Sequence, residues 1–467
     1  MKAKISAYLH YSDAAQPWVG YIPAHWKTSR GKNLFTLMSR STRPGDEVVT
    51  CFRDGTVTLR KNRRTTGFTE SVKEIGYQGV RRGDLVIHSM DAFAGAVGVS
   101  DSDGKSTPVY AACKPRPGVV AEYYALLIRH MALSGWITAL AKGIRERSTD
   151  FRFSQFGSQH LPVPPLEEQQ AIVKYVRHIE REVGAAVIIK RKLIALLDEQ
   201  RTSVIEDAVK RGAPGAITEP DLWNHLEVKR VASLVTSGSR GWATYYSDTG
   251  DWFLQSGNIG KRLNLKLDKV QCVKIPDSAE GIRTRAREGD LLVCITGAMT
   301  GNIGVVQYEL PYPSYVNQHV ALVRPRPELI NSEYLALALH SQSGQQQFKM
   351  SEYGGTKQGL GLAEVKSARV PVPPLDAQVE IVQYVAREAR NIEFAISRTE
   401  REISLLREYQ NRLTADVVTG KLDVRAASAA LPDLDPHNPS LAAACAGAED
   451  GLDANALDGD DTTEEST

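Results

Sequence analysis

The chain has 467 residues, 42% hydrophobic and 24% charged, an ordinary globular composition and enough length for two to four domains. No apolar run approaches the ~20 residues of a membrane span. The opening MKAKISAYLHYSDAAQPW lacks the apolar core of a secretory signal, so a cytoplasmic location is expected. Five scattered cysteines (Cys51, Cys113, Cys272, Cys294, Cys445) without CxxC spacing argue against a disulfide framework and a zinc site. The net charge of +2 hides an asymmetry. Residues 426–467 hold ten Asp/Glu and no Lys/Arg, leaving 57 basic against 45 acidic groups in 1–425, an excess compatible with a polyanionic partner.

In chain order, residues 20–160 read as a mixed α/β globule. Short β-branched runs such as DLVIHS and AVGVS are bounded by Gly, Asp and Pro, and a helix is expected near 120–141. Pro164 and Pro165 hold the chain extended and release it into a helix at Glu167. There Ile172, Val176, Ile179, Val183, Ala186, Leu193, Leu197 and Val204 fall on a 4-3-4-3 ladder interrupted by Lys190 and Gln200. That spacing is a coiled-coil seam. Gly212, followed by Pro214, is a natural stop. Residues 221–370 form a second globule with strands DLLVCIT and GVVQY and a helix near 331–349. Pro373 and Pro374 open a second seam helix at Asp376, through Val382, Val385, Ala389, Ile392, Ile396, Ile403, Leu406, Leu413 and Val417, interrupted by Thr399 and Gln410 and stopped at Gly420. Each helix would be about 60 Å long at ~1.5 Å per residue. Residues 426–467, rich in Ala, Asp and Pro, read as a disordered acidic tail.

The two halves are one pattern written twice. RGDLVIHSMDAFAGAVGV (82–99) aligns with EGDLLVCITGAMTGNIGV (288–305) at 7 of 18 positions, and PVPPLEEQQAIVKYV (162–176) with PVPPLDAQVEIVQYV (371–385) at 10 of 15. Between them EYYALLIRH (122–130) answers EYLALALH (333–340). A lone amphipathic helix beside each globule needs a partner, and the other repeat supplies one. Pseudo-two-fold symmetry would pack the helices antiparallel, with a globule at either end.

Motifs for catalysis are missing. No GxGxxG or GxxxxGK[ST] loop follows a strand, no [DNS]PP[YF] tetrapeptide occurs, and the ten His form no HExxH and no Cys/His cluster. Asp84 and Asp290, which recur as GDL, suit turn-capping better than catalysis. His88 and Cys294 suit strand packing, and Trp18 and Trp26 suit core anchoring. The expectation is no catalytic residue, cofactor or metal.

Several strings carry a family resemblance. Trp18-Val19-Gly20-Tyr21-Ile22-Pro23-Ala24-His25-Trp26 resembles the start of type I restriction-modification specificity subunits. Ser89-Met90-Asp91-Ala92-Phe93, with Gly95-Ala96 and Gly98, and Arg145 to Phe153 (RERSTDFRF) resemble that family's target-recognition domains. Gly297 to Gly304 and Gly354-Gly355-Thr356-Lys357-Gln358-Gly359-Leu360 resemble a second subclass. Val-Pro-Pro-Leu followed by Gln169 or Gln378, and Glu408-Tyr409 to Val424, resemble the beginning and the exit of its spacer helices. The exit at Glu199 to Gly212 departs from the usual ending by one inserted residue.

The resemblance covers about 18–425 and implies an α+β fold: two mixed α/β target-recognition domains related by the internal repeat, separated by two long antiparallel coiled-coil helices. The boundaries would be 1–165 and 215–374 for those domains, 166–214 and 375–425 for the spacers, and 426–467 for the tail. It implies a non-catalytic subunit that reads an asymmetric, bipartite double-stranded DNA target. Two methyltransferase subunits would dock on the helices, where they bind S-adenosylmethionine and modify adenine, and motor-nuclease (restriction) subunits would complete the assembly. A stand-alone DNA-binding regulator would not need two long seams. A methyltransferase-nuclease fusion would need the missing cofactor motifs.

DNA reading needs Arg, Lys, Gln, Asn, Ser or Thr on loops able to reach base edges and phosphates. In the first half the candidates are Lys61, Arg63 and Arg64 in RKNRRTTGF, then Arg145, Arg147, Thr149 and Arg152 just before the spacer. In the second they are Lys261 and Arg262 in GNIGKRLN, then Thr356, Lys357 and Gln358 between glycines. For each, a solvated charge is the competing reading.

Overall fold

The computed structural model describes residues 5–14, 16–63, 75–140, 150–215, 220–238, 241–275, 279–351 and 359–433. The chain forms two compact units. Among the described residues, one comprises those up to Lys190 together with 401–433, and the other comprises 191–400.

The first unit is built on a four-stranded antiparallel sheet of β1 (Phe35–Leu37), β2 (Leu85–His88), β3 (Val97–Val99) and β4 (Tyr110–Pro115), in the order β1-β4-β2-β3. The run Leu85-Val86-Ile87 is continuous and apolar because both faces of β2 are covered. Leu85 and Ile87 face the main core with α1 (Ala121–Leu133), while Val86 packs on Val49, Cys51 and Val57 opposite. The second unit repeats this plan. Its sheet is β5 (Ala232–Ser237), β6 (Leu291–Cys294), β7 (Ile303–Val305) and β8 (Val320–Pro325), in the order β5-β8-β6-β7. Leu291 and Val293 face one core, Leu292 and Cys294 the other. A two-stranded ribbon precedes the proline motif in each unit: Lys27–Arg30 pairs with His160–Val163, and Asn224–Glu227 with Arg369–Val372.

The helices expected near 120–141 and 331–349 are each broken. Residues after α1 turn at Gly135 (φ 80°) before a short helix, Trp136–Leu140. In the second unit α3 (Ser332–His340) gives way at Ser341 to α4 (Gln342–Ser351). Two long helices follow the Pro-Pro pairs. Helix α2 (Leu166–Arg211) stops against Gly212 at φ 83°, and α5 (Leu375–Val418) stops before Gly420 at φ 78°, left-handed positions that release a helix at little cost in glycine.

The start of α2 (Ile172, Val173, Val176) and the end of α5 (Val417, Val418) join the core of the first unit. The end of α2 (Ile205, Ala208, Val209) and the start of α5 (Ile381, Val385) join that of the second. In α5 the ladder is buried at Val385, Ala389, Ile392, Ile396, Ile403 and Val417. Its polar break, Thr399, is buried with its hydroxyl donating to the Ala395 carbonyl at 2.7 Å. The ladder of α2 needs correction. Val187 is buried in place of half-buried Ala186, and Leu193 is 44% exposed. A straight helix of ~3.6 residues per turn drifts off a 3.5-residue seam, and here the drift is fixed by polar contacts. Lys190 pairs with Glu402 at 2.5 Å in the first unit, and buried Arg201 pairs with Glu393 at 3.4 Å in the second.

The glutamine after each Pro-Pro pair does the same work twice. Gln169 accepts from Val120 N and donates to the carbonyls of Pro164 and Gly118; Gln378 accepts from Asn331 N and donates to those of Pro373 and Leu329. Each pins the helix start to the loop that opens the preceding helix.

Candidate nucleic-acid interface

In both units the central strand ends in the same turn. Ala94 N donates to Asp91 O and Thr300 N to Gly297 O, both at 3.0 Å; His88 N then meets Ala96 O at 3.1 Å and Cys294 N meets Asn302 O at 2.9 Å. Gly95 and Gly301 sit at φ 90° and 87°, which a side chain would strain. A second backbone bond is also doubled. Phe151 N donates to Ser89 O at 3.0 Å, and Leu360 N to Ile295 O at 2.8 Å. These bonds fix the chain immediately after 141–149 and 352–358, where sequence reasoning put Arg145, Arg147, Thr149, Thr356, Lys357 and Gln358. Those six residues, and Arg64, lie outside the described residues, as does Cys445.

A further loop adjoins this turn in each unit. The Gly55 carbonyl, in the turn between Val49–Cys51 and Val57–Leu59, fills the space where Gly98 would carry a Cβ. Leu265 and the Asn264 carbonyl take the matching place beside Gly304. The stretches named for Lys61–Arg63 and Lys261–Arg262 thus flank equivalent turns, each in its own unit.

Within each stretch one cation is spent on the fold and the other faces water. The Arg63 side chain is 7% exposed, pairs with Asp54 at 2.7 Å and lies 4.3 Å over the Phe52 ring, so it staples the 53–56 turn. Arg262 meets Asp198 at 2.8 and 3.1 Å and Glu400 at 3.2 Å, which raises its pKa above the usual arginine value and ties its loop to the long helices. Lys61 is exposed beside Glu47 at 2.6 Å, and Lys261 is exposed. Arg152 is 72% exposed and pairs only locally with Asp150 at 2.6 Å. Exposed pairs of this kind are worth little to stability. Sequence reasoning missed Arg53, which is exposed and holds Asp91 at 3.0 Å. The Arg-Asp-Gly turn between two β-branched runs was its signal.

Asp84, Asp290 and His88, also singled out in the sequence, make contacts within the fold. Asp84 accepts from Arg81 N and Asp290 from Arg287 N, each at 2.8 Å; each also forms a bidentate pair, with Arg40 and Arg324. These are turn caps, as their GDL setting indicated. His88 accepts from Asp91 N and packs edge-on against Tyr110, with burial lowering its pKa. Burial pushes the Cys294 thiol up to about 12, so it stays protonated. Trp26 is buried in the main core and Trp18 packs at its margin. Among the described residues no group of His, Cys, Asp and Glu is placed to hold a metal, and no helix is long and apolar enough to cross a membrane.

Residues 285–400 match the type I restriction modification DNA specificity domain. The chain is thus similar to type I restriction-modification specificity subunits over this segment and beyond it. It is 24% identical over 246 residues to the EcoBI specificity subunit of Escherichia coli, across 48% of this chain and 50% of that one. It is 19% identical over 286 residues to the MjaVIII specificity subunit of Methanocaldococcus jannaschii, across 58% and 64%. The chain thus spans about half to two thirds of the length of these relatives. Its fold resembles a chain from a solved structure of a type I R-M system, with a TM-score of 0.56 at 16% identity, covering 85% of this chain and 98% of that one.

Proposed function

We propose that this chain is the DNA-recognition subunit of a type I restriction-modification complex, with no chemistry of its own. The observation that carries the reading is the doubled junction. Two units with the same turn, the same backbone bond closing it and a loop packed on the matching glycine (Gly98 or Gly304) carry different side chains there. Arg53, Met90, Asp91 and Arg152 stand in one; Lys261, Thr296 and Gly297 stand in the other. Two similar scaffolds with unlike contact groups suit two unlike half-sites, that is, an asymmetric bipartite target in double-stranded DNA. Exposed lysines and arginines would meet phosphates while the loops after Ser89 and Ile295 read base edges.

On this reading, 1–165 and 215–374 are target-recognition domains and 166–214 and 375–425 are spacer helices that pair as a ruler. The apolar faces and charged flanks of those helices would dock two methyltransferase subunits, with motor-nuclease subunits joining them, in the cytoplasm. S-adenosylmethionine chemistry would stay with the partners. Exchanging residues 1–160 for those of a relative of known target tests the reading. One half-site of the methylated sequence should change while the other persists; a change in both or in neither contradicts it.

A further inference from the structure

The turn after the central strand is held by a different side chain in each unit. In the first, Arg129 on α1 donates Nη1 to the carbonyls of Gly95 at 2.6 Å and Arg53 at 3.0 Å. In the second, Gln345 on α4 donates Nε2 to the carbonyls of Gly301 and Leu339, both at 3.0 Å. Gly95 and Gly301 are the same position of the repeat, with nearly the same φ. The two donors come from different helices and differ in charge, yet they converge on the same carbonyl.

We infer that Arg129 and Gln345 are positioning residues for recognition, each setting the shape of its own unit's contact loops without touching DNA. The inference rests on the DNA-recognition reading above. Arg129 is half-buried, and the favourable charges near it are Asp54 and Glu180. A desolvated guanidinium is a poor way to fill space, because an apolar side chain of similar length would do so without the cost of removing a charge from water. Its position between two loop carbonyls gives it a use. It joins the 53–56 turn to the 91–96 turn, and Arg53 closes the same link from outside through Asp91. Gln345 joins the Gly301 turn to the end of α3. Each anchor lies wholly within one unit, so each should govern one half-site.

The test uses the full-length chain with its methyltransferase partners, and duplexes carrying either the mapped target or single-base changes in one half. R129M and Q345M keep apolar length and remove the donors, while R129K restores a donor. R129M should lose about tenfold in discrimination against base changes in one half-site, the order expected for two lost hydrogen bonds, and keep discrimination in the other. Q345M should do the reverse, and R129K should recover part of the loss. Thermal unfolding followed in parallel separates this effect from general instability. Should R129M fail to fold, Q345M decides alone. Unchanged discrimination in folded variants, or an equal loss in both half-sites, would overturn the inference. A wild-type protein that discriminates in neither half-site would instead sink the DNA-recognition reading, and this inference with it.

Discussion

Replacing Glu168 by alanine removes the hub of the first unit. Glu168 is 4% exposed, and its carboxylate accepts from Trp26 Nε1 at 2.7 Å, Tyr8 Oη at 3.3 Å and Arg425 Nη1 at 3.2 Å, with His25 Nε2 at 2.7 Å. Four partners do not mean four losses. Arg425 keeps Asp423 at 2.7 Å, and the His25 side chain is 43% exposed, so water can replace the carboxylate there. Trp26 and Tyr8 are buried, and both lose their acceptor. At about 1–3 kcal/mol for each stranded donor, partly offset by the carboxylate no longer being desolvated, E168A should cost about 2–4 kcal/mol. For a unit of roughly 200 residues that lowers Tm by about 5–15 °C. E168Q offers one acceptor oxygen and should lose about half as much. Differential scanning calorimetry of the full chain reads both. The repeat supplies a useful contrast, because the aligned residue in the second half is Ala377, so the loss should fall on the transition of the first unit. A change below ~0.5 kcal/mol, or an equal shift of both transitions, would refute the hub argument.

Q378A should destabilise the second unit by about 1–3 kcal/mol, because the buried Gln378 amide is the partner of three backbone groups, one of them, the Pro373 carbonyl, itself buried; urea unfolding against a Q169A twin, which acts on the first unit, checks this. His340 is held neutral, its pKa pushed down to about 4 by burial and by Arg201. The folded state therefore binds the proton less tightly than the unfolded state, whose value is near ~6.5. Stability is full above that value and is lost as pH falls from about 6.5 to 4, by up to ~3 kcal/mol. H340N should flatten the pH dependence across that window in acid unfolding, and an unchanged profile would count against it. K261A should weaken DNA binding of all sequences alike and reduce the salt slope by about 1, whereas a base-reading lysine would relax specificity at one position. Deleting Ile188–Arg191 shortens α2 by about 6 Å, equal to about two base pairs, so the gap between half-sites should shrink while their bases stay the same. Retention of the original spacing alone by an assembled complex would rule the ruler out.

Much of this was legible because the repeat pins it. The GDL aspartates, the glutamines after the proline pairs and the glycine stops each occur twice in matched settings, and local rules for turns and helix ends account for them. The α5 ladder was legible because apolar spacing and burial coincide. The α2 ladder was not, since Arg201 and Lys190 override periodicity through partners 192 and 212 residues away in sequence. In sequence a basic loop such as that of Arg63 or Arg262 looks the same whether its charges face water or staple the fold. Only the positions of Asp54, Asp198 and Glu400 distinguish the two cases. Arg129 and Gln345 were invisible for a related reason: they hold backbone carbonyls, which carry no sequence signature. The helix breaks at Gly135 and Ser341 likewise depend on packing against the turns they support.

The most direct test is a genome-wide map of methylated adenines in the host, with this gene intact and deleted. The account predicts that deletion erases one asymmetric motif of two unlike halves around a fixed gap, and that the intact gene in trans restores it. An unchanged methylation pattern, or the loss of a palindromic motif, would contradict it.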